Sequence, residues 1–147
     1  MATEITITVP AAAEQLEVVH AALERFYAAT ECMLGRAVDV AAWLPFTTAV
    51  AEVAANVVRH AYPAGMASGR MRVRLRLARQ GVLAACFADC GEPFVPTAAP
   101  SNAPDAAELP EGGMGLAICR ASLTRLRYRR TARGRNCWLL LKRIGAA

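Results

Sequence analysis

AEVAANVVRHAYP, residues 51–63, is an apolar stretch of helical composition that carries Glu52, Asn56 and His60 at four-residue intervals. At about 100° per residue, Phe46, Val50, Val53, Ala54, Val57 and Ala61 fall on one broad stripe, with the carboxylate, amide and imidazole along its border. The spacing predicts a helix packed on a core, with a polar row overlooking the core's edge. A carboxylate and an amide one turn apart can hold a hard cation and position or deprotonate a nucleophile. Ordinary boundary residues with satisfied hydrogen bonds would look the same, and this helix alone does not separate the two.

Working outward, Asp39 is a cap for this helix, which runs past Trp43 and Leu44 and stops at Pro63, with Pro45 either starting or kinking it. Upstream, TEITITVP alternates Thr and Ile and reads as a strand ended by Pro10, and residues 11 to about 31 space Leu16, Val19, Leu23 and Phe26 as a helix does. Downstream, after the turn AGMASG, two strands at about 69–79 and 82–88 meet at Gln80 and Gly81 in a tight hairpin. GEPFVPTAAPSNAPDAAELPEGG, from Gly91 to Gly113, holds five prolines and little periodicity, and reads as a long loop of the kind that is functional or disordered in a compact domain. MGLAICRASLTRL follows as a helix, then LRYRRTA and CWLLLKRI as strands around the turn ARGRN. Hairpin-linked strands with helices between them predict an α/β (α+β) two-layer sandwich: a mixed, mostly antiparallel sheet with helices on one face.

The composition sets bounds on this reading. A chain of 147 residues, 55% hydrophobic and 20% charged, is the size of one folded domain. The sequence shows no apolar run near the roughly 20 residues of a membrane span and no secretory signal, so a cytoplasmic location is the expectation. Five cysteines without a CxxC pair indicate neither a disulfide framework nor a zinc site, although a redox-sensitive Cys86 or Cys90 stays open. The net charge of +5 is almost wholly arginine, and it suits nucleic acid or an acidic protein partner. In GRMRVRLRL, however, Arg70, Arg72, Arg74 and Arg76 alternate with apolar residues, the period of a strand with one wet face. No helix-turn-helix, zinc finger or stacking motif accompanies the charge, which disfavours a nucleic-acid binder.

Two further segments give the polar row a context. FADCGEPF puts Asp89 and Gly91 at the end of an apolar strand, where an acceptor can meet a ligand amine and backbone can approach closely. GGMGLAICR puts Gly112, Gly113 and Gly115 at a helix start, where free N–H groups attract phosphate. Together, in this order, the three segments resemble the nucleotide site of the gyrase, heat-shock chaperone and histidine-kinase ATPase superfamily. EVAANVVRHAYP resembles its N box, DCGEPF its first glycine box and GGMGL its second. Within the superfamily the sequence is most similar to the small anti-sigma factor serine/threonine kinases, through HAYP, the DxGxPF form and the absence of a segment resembling a phosphoacceptor-histidine dimerisation helix.

The resemblance implies a single histidine-kinase-like ATPase domain over residues 1–147 with an ATP lid at about 92–112. It implies that Asn56 binds Mg²⁺, that Glu52 is the general base on a serine or threonine hydroxyl, and that Asp89 accepts from the adenine amine with Gly91 beneath the base. Gly113, Met114, Gly115 and Leu116 would form the phosphate-facing turn, with Arg59 and His60 as phosphate or neighbouring contacts. The cofactors implied are ATP and Mg²⁺. The activity implied is phosphorylation of a STAS-domain anti-anti-sigma protein by a switch that also holds a sigma factor, as a homodimer; the alternative is an ATP-binding partner switch without catalysis. The sequence departs from the pattern at Pro93, where many relatives have glycine, at Glu111, where a basic residue is common, and in NCWLLLK, which lacks the threonine often found near adenine.

Overall fold

The computed structural model describes residues 3–62, 69–94 and 113–145. Residues 63–68, with all of the expected AGMASG turn but its last glycine, and residues 95–112 of the expected lid lie outside them. Strand β1 (Glu4–Pro10) is followed by a short 3₁₀ turn and helix α1 (Leu16–Leu34), then helix α2 (Val40–Asn56), whose last turn widens into a π-turn over Val57–Ala61. Strands β2 (Arg70–Ala78) and β3 (Val82–Asp89), helix α3 (Gly113–Ser122) and strands β4 (Arg125–Arg130) and β5 (Asn136–Arg143) complete the order. The strands form one sheet in the order β1-β2-β3-β5-β4, and every described pairing is antiparallel.

Alternation decides which face of the sheet is buried. Met71, Val73 and Leu75 of β2, Leu83, Ala85 and Phe87 of β3, and Trp138 and Leu140 of β5 point into the core, while the β2 arginines point away. The expected helical stripe meets this face: Phe46, Val50, Val53, Ala54, Val57 and Ala61 are all buried. Asp39 caps α2 by accepting from Ala41 N–H at 2.9 Å, and Pro45 lies inside the helix, past the N–H groups a helix start leaves free, so α2 forgoes the bond that position 45 would make to the Ala41 carbonyl. Ala78 pairs with Val82, so the hairpin turns through Arg79, Gln80 and Gly81, with Gln80 (φ 64°) and Gly81 (φ 68°) both left-handed.

Two expectations need correction. Val40–Ala61 forms 22 helical residues with a mean hydropathy of 1.3, long and apolar enough by length and composition to cross a membrane, where the sequence reading found no such run. Its buried stripe packs on the sheet, as a core helix does. Helix α3, expected to run to Leu126, ends at Ser122, because Leu123 closes the last turn on the Cys119 carbonyl and Thr124 N–H already bonds Leu141 across the sheet.

Candidate functional site

The polar row on α2 crosses from half-buried Glu52 through Asn56, 4% exposed, to exposed His60. Asn56 sits where the α-helix gives way to the π-turn, an irregularity that re-aims the residues after it. Its Oδ1 accepts from Arg59 Nη2 at 3.4 Å, a long bond, and its Nδ2 is buried with no partner among the described residues. An unpaired buried amide donor costs about 1–3 kcal/mol, so the position is poorly explained by fold stability alone. One turn earlier, the Glu52 carboxylate stands directly against Gly115; a Cβ on that glycine would overlap the carboxylate. Gly115 therefore lets the first turn of α3, with its free N–H groups, close on the acidic end of the row. Burial, with the Glu52 charge as a second cause, raises the nearby Cys119 thiol to about 11.

Asp89, 4% exposed, ends β3 and faces the same layer. One of its oxygens, Oδ1, accepts from Gly91 N–H at 2.9 Å and from Asn136 Nδ2 at 2.7 Å. Asn136 opens β5 directly opposite Asp89 in register. Its surroundings fix which way its amide points. Nδ2 faces three acceptors, the Asp89 carboxylate, the Glu92 carbonyl at 2.8 Å and the Gly91 carbonyl at 3.2 Å. Oδ1 faces two donors, the Tyr128 hydroxyl and Arg130 Nη1 at 2.8 Å. No donor of Asn136 is left for a ligand, and among the described residues Asp89 Oδ2 is the acceptor that remains.

The glycine-box segment is tied to the end of α2 as firmly as to β5. Gly91 packs so closely on the Ala61 carbonyl that any Cβ there would overlap backbone, and Glu92 N–H donates to that same carbonyl. Tyr62, the aromatic of HAYP, lies over Gly69, donates its hydroxyl to the Arg70 carbonyl at 2.8 Å and accepts from Cys90 N–H at 3.0 Å. Burial raises the Tyr62 hydroxyl above its usual value. These contacts bring three distant stretches of sequence to one place.

Between them lies a cavity of about 20 Å³, lined by Asn56, His60, Asp89, Phe94, Asn136 and Trp138, among others. That volume admits roughly one water. A ring system enters only if a wall moves, and the wall of Glu92–Phe94 is held chiefly by side chains: Phe94 N–H donates to Tyr128 Oη at 2.9 Å, and its ring packs on Trp138 at 4.8 Å. Of the residues singled out from sequence, the cavity thus collects Asn56, His60 and Asp89, with Arg59 bonded to Asn56 and Gly91 behind Asp89. Glu52 and Gly115 adjoin one turn away and do not line it. Leu116 packs against the core, Gly113 begins α3, and the Met114 side chain is outside the described residues. The sequence reading does not single out Asn136, Tyr128, Arg130 or Tyr62; the signals available were the HAYP motif, which holds Tyr62, and NCWLLLK, which opens on asparagine and lacks the threonine often found near adenine.

Cys86 is exposed on the outer face of the sheet. Partial desolvation by the surrounding strands raises its thiol above the ordinary value, despite the neighbouring Arg74 and Arg76.

Comparison with known proteins gives the same architecture. The histidine kinase domain of the blue-light activated histidine kinase EL346 of Erythrobacter litoralis superposes with a TM-score of 0.56 at 18% identity, covering 92% of this chain and 62% of that one. A second structure of the EL346 kinase gives 0.57 at 20% identity, covering 84% of this chain and 41% of that one. At such identities the likeness is one of fold, and this chain spans less than two thirds of either. No curated protein matches the sequence. The family model described as histidine kinase-like ATPase domain matches residues 9–141. With nearly the whole chain inside that match, and the polar row, the Asp89 corner and the α3 start gathered in one region of the fold, the chain belongs to the histidine kinase-like ATPase domain family.

Proposed function

We propose that this ATPase-family domain is an ATP-dependent serine/threonine protein kinase that doubles as an anti-sigma-type switch, acting in the cytoplasm on a STAS-domain anti-anti-sigma protein and holding a sigma factor. The observation that supports it is the pairing on one helix of Glu52, a carboxylate against the start of α3, with Asn56, whose buried Nδ2 donor has no acceptor among the described residues, beside the cavity that ends at Asp89.

ATP is the nucleotide the family implies. Asp89 Oδ2 accepts from the adenine amine, while Gly91 and Asn136 hold Oδ1 and so fix the carboxylate's direction. Asn56 Nδ2 donates to a phosphate oxygen. Mg²⁺ fits the residues present: among those described, no three His, Cys, Asp or Glu side chains come together, and this ion is commonly bound by one or two protein oxygens plus substrate phosphates. Asn56 Oδ1 would hold it, releasing Arg59 toward the phosphates; when bound it neutralises charge developing on them. Glu52 takes the proton of the attacking hydroxyl, whose oxygen bonds the terminal phosphorus as the bond to the β-phosphate bridging oxygen breaks and ADP leaves.

A second reading, an ATP-binding partner switch without catalysis, draws on Glu52 turning to α3 and not lining the cavity. Incubation with terminally labelled Mg-ATP and a STAS partner encoded nearby decides between them. Label transfer that is lost in Glu52→Gln while ATP binding is kept supports the kinase. Nucleotide-dependent partner binding with zero transfer selects the second reading.

A further inference from the structure

The sheet face opposite the helices carries a pattern that the nucleotide site does not use. Strand register lines its outward residues up in three cross-strand rows: Arg72, Ala88, Cys137, Arg129; Arg74, Cys86, Leu139, Arg127; and Arg76, Ala84, Leu141, Arg125. Each row is an apolar or small pair between two arginines. The result is a strip of small and aliphatic side chains along β3 and β5 flanked on both sides by a column of three guanidinium groups.

The strip is recessed. A depression of about 220 Å³ runs over Ala84, Cys86, Leu139 and Leu141 between Arg74 and Arg76 on one side and the middle of the sheet on the other. In these rows and their extension onto β1, Glu4 is the one acid among the described residues, and it meets Arg74 at 2.9 Å. Even Arg74 keeps its Nε buried without an acceptor among the described residues. At neutral pH six arginines on one face therefore face a single counter-charge, and a solvated face does not require the apolar strip between them.

We infer that this face docks an acidic amphipathic helix of a partner protein, its apolar stripe along β3 and β5 and its carboxylates against the two arginine columns. The dimensions agree: β2 and β4 are three strand spacings apart, about 14 Å, and a helix with its side chains is about 10–12 Å across. Charge complementarity specifies acid on both flanks. A second copy of this chain would set arginine against arginine. Nucleic acid would meet the charge but not the aliphatic strip, and no aromatic side chain in the three rows offers a base a stacking surface. The inference is independent of the kinase reading, since the nucleotide site lies in the layer on the other side of the sheet.

The test is fluorescence anisotropy with a labelled 18-residue helical peptide bearing leucines on one stripe and glutamates on both flanks, at about 0.15 M salt. Expected are saturable binding, at least a tenfold loss when the leucines become glutamine, and at least a tenfold loss in Arg74→Glu/Arg127→Glu. The milder Arg72→Ala/Arg129→Ala pair, with an unchanged unfolding midpoint, should weaken binding severalfold and leave ATP affinity unaltered. No binding, equal binding of the leucine-free peptide, tighter binding of an oligonucleotide at the same salt, or concentration-dependent dimerisation abolished by the variants would each overturn the inference.

Discussion

Asn136→Asp changes one NH₂ group into an oxygen and almost nothing else in volume, which makes it a sharp probe of the corner that orients Asp89. In the wild type, Nδ2 reaches the Asp89 carboxylate at 2.7 Å and the Glu92 carbonyl at 2.8 Å. The substitution loses a bond to a charged group, about 1.5–3 kcal/mol, and one to a neutral carbonyl, about 0.5–1.5 kcal/mol. It also sets two buried carboxylates against each other, partly offset by the Arg130 guanidinium 2.8 Å from Oδ1. The net loss at pH 7.5 should be roughly 3–5 kcal/mol, the range for an uncompensated buried charge. With a urea m-value of about 2 kcal/mol/M, the midpoint falls by roughly 2 M.

Protonation restores a donor between the two carboxyl groups, so the variant's shared proton binds more tightly folded than unfolded. Its relative stability is then greatest below the ordinary carboxylate range and is lost as pH rises through the raised folded value. Urea unfolding of both proteins at pH 7.5 and pH 5 should show the gap narrowing at the lower pH. A gap under about 1 kcal/mol at pH 7.5, or one that does not narrow, would refute the orientation argued for Asn136.

Three other perturbations separate fold from site. Gly91→Ala drives a Cβ into the Ala61 backbone, which cannot yield as a side-chain tip can, so thermal unfolding should show a loss of about 2 kcal/mol or more. Gly115→Ala meets only the flexible end of Glu52; stability should change by less than about 1 kcal/mol, while phosphoryl transfer falls much further than ATP affinity. The Cys119 thiol, held protonated up to about 11 by burial, contributes stability present below its unfolded value and lost as pH rises through the folded one; chemical unfolding between pH 8 and 11 should show that decline, diminished in Cys119→Ala.

The parts of this protein written in local periodicity were legible from sequence. Arg70 to Leu77 announced a two-faced strand, the Phe46–Ala61 stripe a core helix, and Gln80-Gly81 a hairpin, because each depends on residues a few positions apart. The candidate site was legible where its residues form short motifs: Asn56, His60 and Asp89 do meet at one cavity. The Asn136 clamp was not, because its significance arises from register across β3 and β5 and from Tyr128 and Arg130, which side-by-side strands supply. Helix α3 was drawn too long for a related reason: Leu123 and Leu126 keep helical spacing, yet sheet pairing at Thr124 takes the backbone. The π-turn after Asn56 left no mark in composition.

The central claim, that Asp89 with its single remaining oxygen reads the base of a bound ATP, is tested most directly by calorimetric titration of Mg-ATP into the wild type and Asp89→Asn. The variant can keep one oxygen for Gly91 and Asn136 while presenting a donor in place of the acceptor, so its fold should be intact. Saturable one-site binding by the wild type, weakened about 10- to 100-fold in the variant, is the predicted result. Dissociation constants within about twofold of each other would contradict the account.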